Sequence, residues 1–279
     1  EIMPSLVGSE MCIRDRQGAD MSDNYRENVS IVSQEKLASD VFSMWIQTKD
    51  IAKNARAGQF ISVYSKDGSR LLPRPISICE VEGDRLRIVY RTVGKGTKEF
   101  SGYGAGDTLD VMGPLGNGYT KLNKKAILMG GGIGIPPMLE LARELKNGGY
   151  DVSDADIVLG YRDELFLNEE LAQYGRVTIA TEDGSAGTKG NVLDAIKAEG
   201  IKGDVIYACG PTPMLRAIKA YAKENGIECY LSLEEKMACG IGACLACVCK
   251  SKEIDDHSHV HNKRVCKEGP VFNAEDVEL

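Results

Sequence analysis

Short stretches in which apolar and polar residues alternate dominate the chain from about residue 28 to residue 119. Six such stretches cover residues 28–33, 41–48, 60–64, 76–82, 85–92 and 108–112. Turn residues separate most of them, and no long helical repeat interrupts the series. This pattern predicts a small antiparallel barrel whose interior is filled by side chains. We therefore expect any ligand of this region to lie outside the barrel or at its rim.

The pattern changes after about residue 120, where short buried strands alternate with amphipathic helices. Strands are expected at 125–129, 157–160, 177–181 and 205–208, and helices at 138–145, 165–174, 192–199 and 213–225. This alternation predicts a doubly wound, mostly parallel sheet. Ligands of such sheets bind at the carboxyl ends of the strands.

The length of 279 residues allows about two domains and a small appendage. Residues 1–20 show no periodicity and resemble a translated adapter peptide, so we expect them to be extraneous to the fold and Cys12 to have no function. The predicted divisions are an extraneous leader at 1–20, a barrel at 21–120, a sheet domain at 121–230 and a C-terminal module at 231–279.

Charge and composition exclude several classes of function. A formal net charge of −7 leaves no basic surface for nucleic acid. No apolar run approaches about 18 residues, so we expect no membrane-spanning segment. The chain shows no secretory signal, and its nine cysteines indicate a reducing cytoplasm rather than a disulfide framework.

Four cysteines near the C-terminus have the spacing of a plant-type [2Fe-2S] site. Cys239, Cys244 and Cys247 form C-x₄-C-x₂-C, and Cys266 follows after 18 intervening residues. Glycines between the first two cysteines allow the loop to wrap a cluster. Two alternatives remain open, namely a Cys₄ zinc site, although only one C-x₂-C pair is present, and buried free cysteines without metal.

Two motifs in the barrel region suggest an anion site. Arg74-Pro75-Ile76-Ser77 begins a strand and offers a guanidinium fork for a phosphate. Gly94-Lys95-Gly96-Thr97 exposes backbone N–H groups, and residues 98–100 could begin a helix whose N-terminus faces an anion. Alone, the first is usually a turn and the second a loop. On adjacent strands they predict a pyrophosphate cradle, beside which Tyr90 either stacks on an aromatic ring of the ligand or packs in the core.

The sheet domain opens with Gly132-x-Gly134-x-x-Pro137 between a strand and a helix. Strand, glycine loop and helix form the phosphate-binding opening of a doubly wound sheet, although a purely structural tight turn is an alternative. A second loop, Cys209-Gly210-Pro211, follows another strand end. Its cysteine either touches a cofactor ring or is simply a small buried residue.

Together these motifs resemble the ferredoxin–NADP reductase superfamily, and residues 233–249 resemble the electron-transfer subunits of type B dihydroorotate dehydrogenase. The similarity runs from about residue 27 to the C-terminus. The resemblance implies that the barrel binds FAD through Arg74, Pro75, Ile76, Ser77, Val89, Tyr90, Arg91, Gly96 and Thr97. It implies an NAD site at Gly132, Gly134, Pro137, Cys209, Gly210 and Pro211. The implied ligands of the [2Fe-2S] cluster are Cys239, Cys244, Cys247 and Cys266.

The same resemblance implies an FMN-bearing catalytic partner that oxidises dihydroorotate for pyrimidine biosynthesis, in a heterotetramer of two copies of each subunit. NADH exchanges electrons as hydride, whereas the cluster takes one at a time, so a flavin must stand between them. The expected route is partner flavin, cluster, FAD and NAD⁺, with no catalytic acid or base. Two alternatives are a related subunit of a bifurcating transhydrogenase or sulfhydrogenase, and a non-enzymatic redox carrier or sensor.

The functions of three further features are not determined by the motifs above. Cys249 lies outside the four cluster cysteines and is expected to pack inward. The motif His257-x-His259-x-His261 is either a metal-binding face of a strand or a solvated hairpin tip. Arg162 after a strand end favours the 2′-phosphate of NADP, whereas the neighbouring Asp163 favours NAD.

Overall fold

The computed structural model describes residues 24–149, 155–254 and 259–279. The predicted leader at 1–20, with Cys12, and His257 lie outside these residues. None of the helices within the described ranges combines the length and the apolar character needed to cross a membrane.

The first unit is a closed antiparallel barrel with the strand order β1-β2-β5-β4-β3-β6. Its strands are β1 Tyr25–Lys36, β2 Val41–Gln47, β3 Phe60–Tyr64, β4 Arg74–Glu82, β5 Arg85–Arg91 and β6 Thr108–Leu115. The connections contain the short helices α1 Ile51–Asn54 and α2 Lys95–Phe100. The predicted six-stranded barrel is confirmed, but α2 begins at residue 95 and not at 98.

The barrel interior is filled by the apolar side chains that alternation assigns to one face of each strand. Among them Met44, Ile61, Ile88 and Leu109 are almost fully buried. Full burial of such a side chain contributes about 1.5–3 kcal/mol to folding. The predicted location of ligands outside the barrel is consistent with this packed interior.

The second unit is a seven-stranded sheet in the order β10-β9-β8-β7-β11-β12-β15, in which β15 is Val271–Asn273. Its parallel strands are β7 Ala126–Gly131, β8 Asp156–Tyr161, β9 Arg176–Thr181, β10 Thr188–Lys189, β11 Val205–Cys209 and β12 Glu228–Ser232. Its helices are α3 Pro136–Asn147, α4 Asn168–Leu171, α5 Val192–Glu199 and α6 Thr212–Asn225. The parallel sheet is confirmed. The helix expected at 165–174 begins only at Asn168, because Leu167 has a left-handed φ of 61°, and it ends at Leu171.

The C-terminal module contains the two-stranded hairpin β13 Val248–Lys250 and β14 Asn262–Arg264, followed by β15 Val271–Asn273. Strand β15 pairs antiparallel with β12 and so forms one edge of the seven-stranded sheet. Neither β12 nor β15 follows from the sequence pattern. Their pairing fixes the module directly on the sheet domain.

Helix α3 of the sheet domain also fixes the barrel. The buried carboxylate of Glu140 accepts a hydrogen bond from Val81 N in β4 at 3.0 Å and two from the Arg143 side chain. Burial raises the pKa of Glu140 even though Arg143 opposes that effect. One turn further, Glu144 Oε1 accepts from Ala57 N at 2.9 Å. These contacts hold the two units in one orientation.

Candidate cofactor-binding sites

The loop between β12 and β13 carries Cys239, Cys244 and Cys247, and with Cys266, which follows β14, they form two pairs. The thiol of Cys239 contacts that of Cys244. The thiol of Cys247 contacts that of Cys266, whose backbone N–H donates to Cys247 Sγ at 3.4 Å. Within the described residues, no three or more potential ligand side chains converge on one metal position. Two pairs of thiolates fit the two irons of [2Fe-2S] better than one tetrahedral zinc ion, which needs all its ligands around one point.

Backbone N–H groups of the loop point at the sulfurs. Gly242 N donates to Cys266 Sγ at 3.0 Å, and Ala243 N donates to Cys239 Sγ at 3.3 Å. The positive φ values of Gly240 (71°) and Gly242 (83°) produce this wrapped conformation, which glycine adopts without steric cost. The predicted role of these glycines agrees with the geometry.

The pKa values of Cys239 and Cys249 shift in opposite directions, but a raised pKa does not exclude a ligand, because burial and the Cys247 thiol also raise the pKa of Cys266 to about 12. Burial acts to raise the pKa of Cys239, but N–H donors and the Cys244 thiol outweigh it and lower the pKa to about 7. Burial raises the pKa of Cys249 to about 11, and its side chain is only 8% exposed. The thiolate is the metal-binding form. Cys249 therefore packs inward as a neutral thiol, as predicted.

The cysteine loop lies on the barrel, directly over strand β3. A Cβ atom placed on Gly240 would lie 3.0 Å from Ser62 Oγ and 3.7 Å from Leu115 Cδ1. Ser62 is paired across the sheet with Pro75 of the Arg74–Ser77 motif in β4. Neighbouring strands are about 4.8 Å apart. The cysteine loop and the proposed flavin motif are thus separated by one strand of the barrel.

The two predicted anion-binding motifs meet as expected. Strands β4 and β5 are adjacent, and helix α2 follows β5. The Arg74 guanidinium lies so close to Gly96 that a Cβ atom there would be 2.7 Å from Arg74 Nε. Thr97 Oγ1 accepts hydrogen bonds from the backbone N–H groups of Val93 and Gly94, which holds the loop in shape. An arginine and a side-chain-free backbone position therefore share one surface, which fits a pyrophosphate.

Of the two alternatives for Tyr90, the structure supports core packing. Its ring is 2% exposed, stacks on Phe42 with centroids 6.0 Å apart, and meets Phe100 edge-on. Its hydroxyl donates to Gln34 Oε1 at 2.8 Å. The side chains of Ile76 and Val89 are buried as well. At these three positions, only backbone groups remain for contact with a flavin.

The glycine loop of the sheet domain lies against the second predicted NAD motif. Strands β7 and β11 are neighbours in the sheet, so their carboxyl ends meet. A Cβ atom on Gly134 would be 2.4 Å from the carbonyl oxygen of Cys209. Strand β7 lies between β8 and β11, and therefore its end is the topological switch point at which such sheets bind ligands. Burial raises the pKa of Cys209 to about 12, so this thiol stays neutral.

Arg91 connects the barrel with this glycine loop. Its Nη1 atom would lie 4.0 Å from a Cβ atom on Gly132. Its Nε atom is buried and is 3.2 Å from Asp40 Oδ2, but the angle does not make a hydrogen bond. A guanidinium with unused donor capacity thus faces the cleft between the proposed FAD and NAD sites. An anionic group entering that cleft would satisfy it.

Arg162, the cation that would favour NADP, is hydrogen-bonded to its neighbour Asp163. Arg162 Nε donates to Asp163 Oδ2 at 3.0 Å, and Asp163 Oδ1 accepts from Glu164 N at 2.8 Å. These two bonds lower the pKa of Asp163 and keep it ionised. A carboxylate at the end of β8 repels a 2′-phosphate, so the geometry favours NAD.

Of the histidine motif, only His259 and His261 lie within the described residues, and among those residues no group of three or more potential metal ligands is present. His261 Nδ1 is 2.9 Å from the carbonyl oxygen of Lys252, and His259 lies in a bend with φ 56°. The hairpin-tip alternative agrees with this arrangement.

Sequence reasoning missed a different pair beside the cluster loop, Arg264 and Glu268, because their i, i+4 spacing signals only an ordinary ion pair.

Two family models match the chain. Residues 234–278 match the iron-sulfur cluster binding domain of dihydroorotate dehydrogenase B, and residues 128–220 match the oxidoreductase NAD-binding domain. Curated relatives named as the electron transfer subunit of dihydroorotate dehydrogenase B (NAD(+)) match nearly end to end. The relative from Fusobacterium nucleatum is 42% identical over 91% of this chain and 98% of its own length. The relative from Listeria monocytogenes is 43% identical over 90% of this chain and 98% of its own length.

Solved structures of other oxidoreductases are also similar to the chain. One from a study of flavin-based electron bifurcation by NADH-dependent reduced ferredoxin–NADP oxidoreductase is 32% identical, with a TM-score of 0.80 and coverage of 90% of both chains. Flavohemoglobin from Malassezia yamatoensis with bound FAD and heme is 22% identical, with a TM-score of 0.62 over 72% of this chain and 57% of its own. The second similarity shows the fold alone.

Proposed function

The chain belongs to the family of dihydroorotate dehydrogenase B electron transfer subunits, and from this premise we propose how its residues divide the work. As an oxidoreductase subunit with [2Fe-2S], FAD and NAD as cofactors, it transfers electrons between a catalytic partner subunit and NAD⁺. When bound, FAD exchanges hydride with the nicotinamide and single electrons with the cluster. The bifurcating-reductase alternative has weaker support, since that structure is 32% identical whereas the subunit from Fusobacterium nucleatum is 42% identical.

We assign the thiolates of Cys239 and Cys244 to one iron and those of Cys247 and Cys266 to the other. Arg74 and Gly96 receive the FAD pyrophosphate, Pro75 and Ser77 line the flavin, and Thr97 holds the loop. Backbone groups of Ile76, Val89 and Tyr90 complete that site.

We assign NAD to Gly132, Gly134, Pro137, Cys209, Gly210 and Pro211, with Arg91 between the two cofactors. The proposed divisions are a barrel at 21–120, a sheet domain at 121–230 and a cluster module at 231–279, after an extraneous leader at 1–20.

One observation carries this division of work: the three proposed sites follow one another across the barrel. The cysteine loop contacts Ser62, which is opposite Pro75 of the FAD motif. On the far side, Arg91 reaches toward Gly132 of the glycine loop. These contacts support a proposed FAD site between the proposed cluster and NAD sites, which is the order that a converter of electron pairs into single electrons requires.

The partner is proposed to carry FMN and to oxidise dihydroorotate in a complex of two copies of each subunit. All three histidines of this chain lie at 257–261, outside the proposed barrel and sheet domain. Neither of these two units therefore has a histidine that could act as a base in dihydroorotate oxidation. We also propose a cytoplasmic location, which the free cysteines support because a reducing compartment preserves them.

Reconstitution tests this function. The isolated chain should oxidise NADH with an artificial acceptor and leave dihydroorotate unchanged. Addition of the FMN-bearing partner should produce dihydroorotate-dependent NAD⁺ reduction, and the mass of the complex should equal two copies of each chain. Dihydroorotate oxidation by the isolated chain, or no gain on adding the partner, would contradict the proposal.

Replacement of Arg74 by alanine should weaken FAD binding at least about tenfold. The lost contact is a charge-assisted hydrogen bond to phosphate, which is worth about 1.5–3 kcal/mol. The measurement is FAD retained per chain after dilution and gel filtration. Arg85→Ala is the matched control, because Arg85 pairs with Glu82 at the turn between β4 and β5, at the end of β4 opposite to Arg74. Equal retention in Arg74→Ala and the parent would remove Arg74 from the pyrophosphate site.

A further inference from the structure

A buried arginine lies directly behind the cysteine loop. Arg264, at the end of β14, is 8% exposed. Its Nη1 atom donates to the carbonyl oxygen of Gly242 at 2.9 Å, and its Nε atom donates to Glu268 at 3.0 Å. A buried charge is costly unless it is paired and hydrogen-bonded. Two of its interactions are with the counter-ion Glu268 and with the loop that wraps the cluster site.

The loop transmits this contact to two of the proposed ligands. The peptide unit that joins Gly242 to Ala243 accepts from Arg264 through its oxygen and donates from its N–H to Cys239 Sγ. The preceding peptide unit donates from Gly242 N to Cys266 Sγ. One guanidinium therefore orients a segment that reaches one cysteine of each pair. Hydrogen bonds arranged in series also polarise one another, so a cation at the oxygen strengthens the N–H donor.

We propose that Arg264 is a positioning residue that raises the reduction potential of the cluster, and that Glu268 limits this increase. Reduction adds negative charge to a cluster and its sulfurs. A nearby cation and stronger N–H···S hydrogen bonds stabilise that charge, and hydrogen bonding to sulfur is one determinant of cluster potential. Removal of the cation should therefore lower the potential, and removal of the carboxylate charge should raise it. This inference rests on the ligand set proposed above.

The test is an EPR-monitored redox titration of the cluster in the holo chain. Arg264→Gln should lower the one-electron equilibrium constant for reduction about tenfold, which corresponds to a midpoint shift of ~59 mV. Glu268→Gln preserves the shape of the side chain and should shift the midpoint upward. Arg264→Lys keeps a charge but loses the fork geometry, and its midpoint should fall between those of the parent and Arg264→Gln.

Lys267→Gln is the control. The stem of Lys267 lies on Gly242, but its side chain is exposed and makes no hydrogen bond to the loop within the residues that the structure describes. Loss of this solvent-screened charge should leave the midpoint near the parental value. The inference would be overturned if Arg264→Gln, Glu268→Gln and the parent had equal midpoints, or if both variants shifted in the same direction. Arg264 would then only stabilise the structure of the loop.

Two outcomes remain distinct from that result. If Arg264→Gln does not hold a cluster, Glu268→Gln decides the inference. An upward shift of its midpoint would support the inference, and an absent shift would overturn it. The intensity of the EPR signal and NADH oxidation with an artificial acceptor report the proposed cofactor sites themselves. A parental signal with an unshifted midpoint therefore overturns the tuning role alone, whereas a full signal in a ligand variant such as Cys244→Ser would overturn the ligand set.

Discussion

Replacement of Cys244 by serine is expected to abolish NAD⁺ reduction by the complex with the catalytic partner. Four thiolates hold a [2Fe-2S] cluster, so the variant should lose most of its iron and acid-labile sulfide. FAD should stay bound, because the proposed FAD contacts lie on β4, β5 and α2. Dihydroorotate oxidation with an artificial dye should continue at the parental rate, since it needs only the flavin of the partner. The assay compares the two rates in one preparation.

Cys249→Ser is the matched control for this variant. It makes the same chemical change five residues along the chain, at a buried thiol outside the two pairs. It should keep the reduced-cluster EPR signal and both activities. NAD⁺ reduction at the parental rate by a cluster-free Cys244→Ser complex would place the cluster off the electron path, even with every other site correctly assigned.

The barrel follows from the sequence because its strands obey a local rule. Each is half buried, so apolar residues alternate along it, and turn residues mark its ends. The strand containing Ile88, for example, was predicted at 85–92 and extends over Arg85–Arg91. The helix expected at 165–174 fails for an equally local reason, since the left-handed φ of Leu167 delays its start. A leucine in that conformation gives no signal in the sequence pattern.

The location of the cysteine module on the barrel could not be read from the sequence. The contact of Gly240 with Ser62 joins residues far apart in the chain, and neither residue has a distinctive pattern. Strand β15 is only three residues long and acquires its partner β12 through tertiary packing. Spacing identified the cysteines, whereas their position relative to the flavin motif required the fold.

Side-chain orientation is another property that the sequence pattern does not determine. Motif reasoning placed Arg74 beside Gly96, and the structure confirms that proximity. The same reasoning left the direction of Tyr90 open, because an aromatic residue in a barrel strand suits either face. Burial against Phe42 and Phe100 resolves it toward the interior. A one-residue shift in the strand would reverse the answer, so only the observed register decides it.

Replacement of Gly134 by alanine is expected to lower kcat/KM for NADH about 10- to 100-fold. The new Cβ atom would lie 2.4 Å from the carbonyl oxygen of Cys209 and 2.6 Å from Gly210 N. Both neighbours are backbone atoms, so the loops at the ends of β7 and β11 must separate. Overpacking of this kind costs about 1–3 kcal/mol, and each 1.4 kcal/mol corresponds to about tenfold. The measurement is steady-state NADH oxidation with an artificial acceptor.

Gly104→Ala serves as the matched control, because a Cβ atom on Gly104 would have no neighbour within 4 Å. It should leave kcat/KM for NADH near the parental value. FAD content and the cluster EPR signal should be parental in both variants, since the proposed FAD and cluster ligands lie outside the β7 and β11 loops. A normal kcat/KM in Gly134→Ala would mean that the nicotinamide cofactor does not depend on the contact between the glycine loop and Cys209–Pro211. The glycines would then serve only the tight turn between β7 and α3.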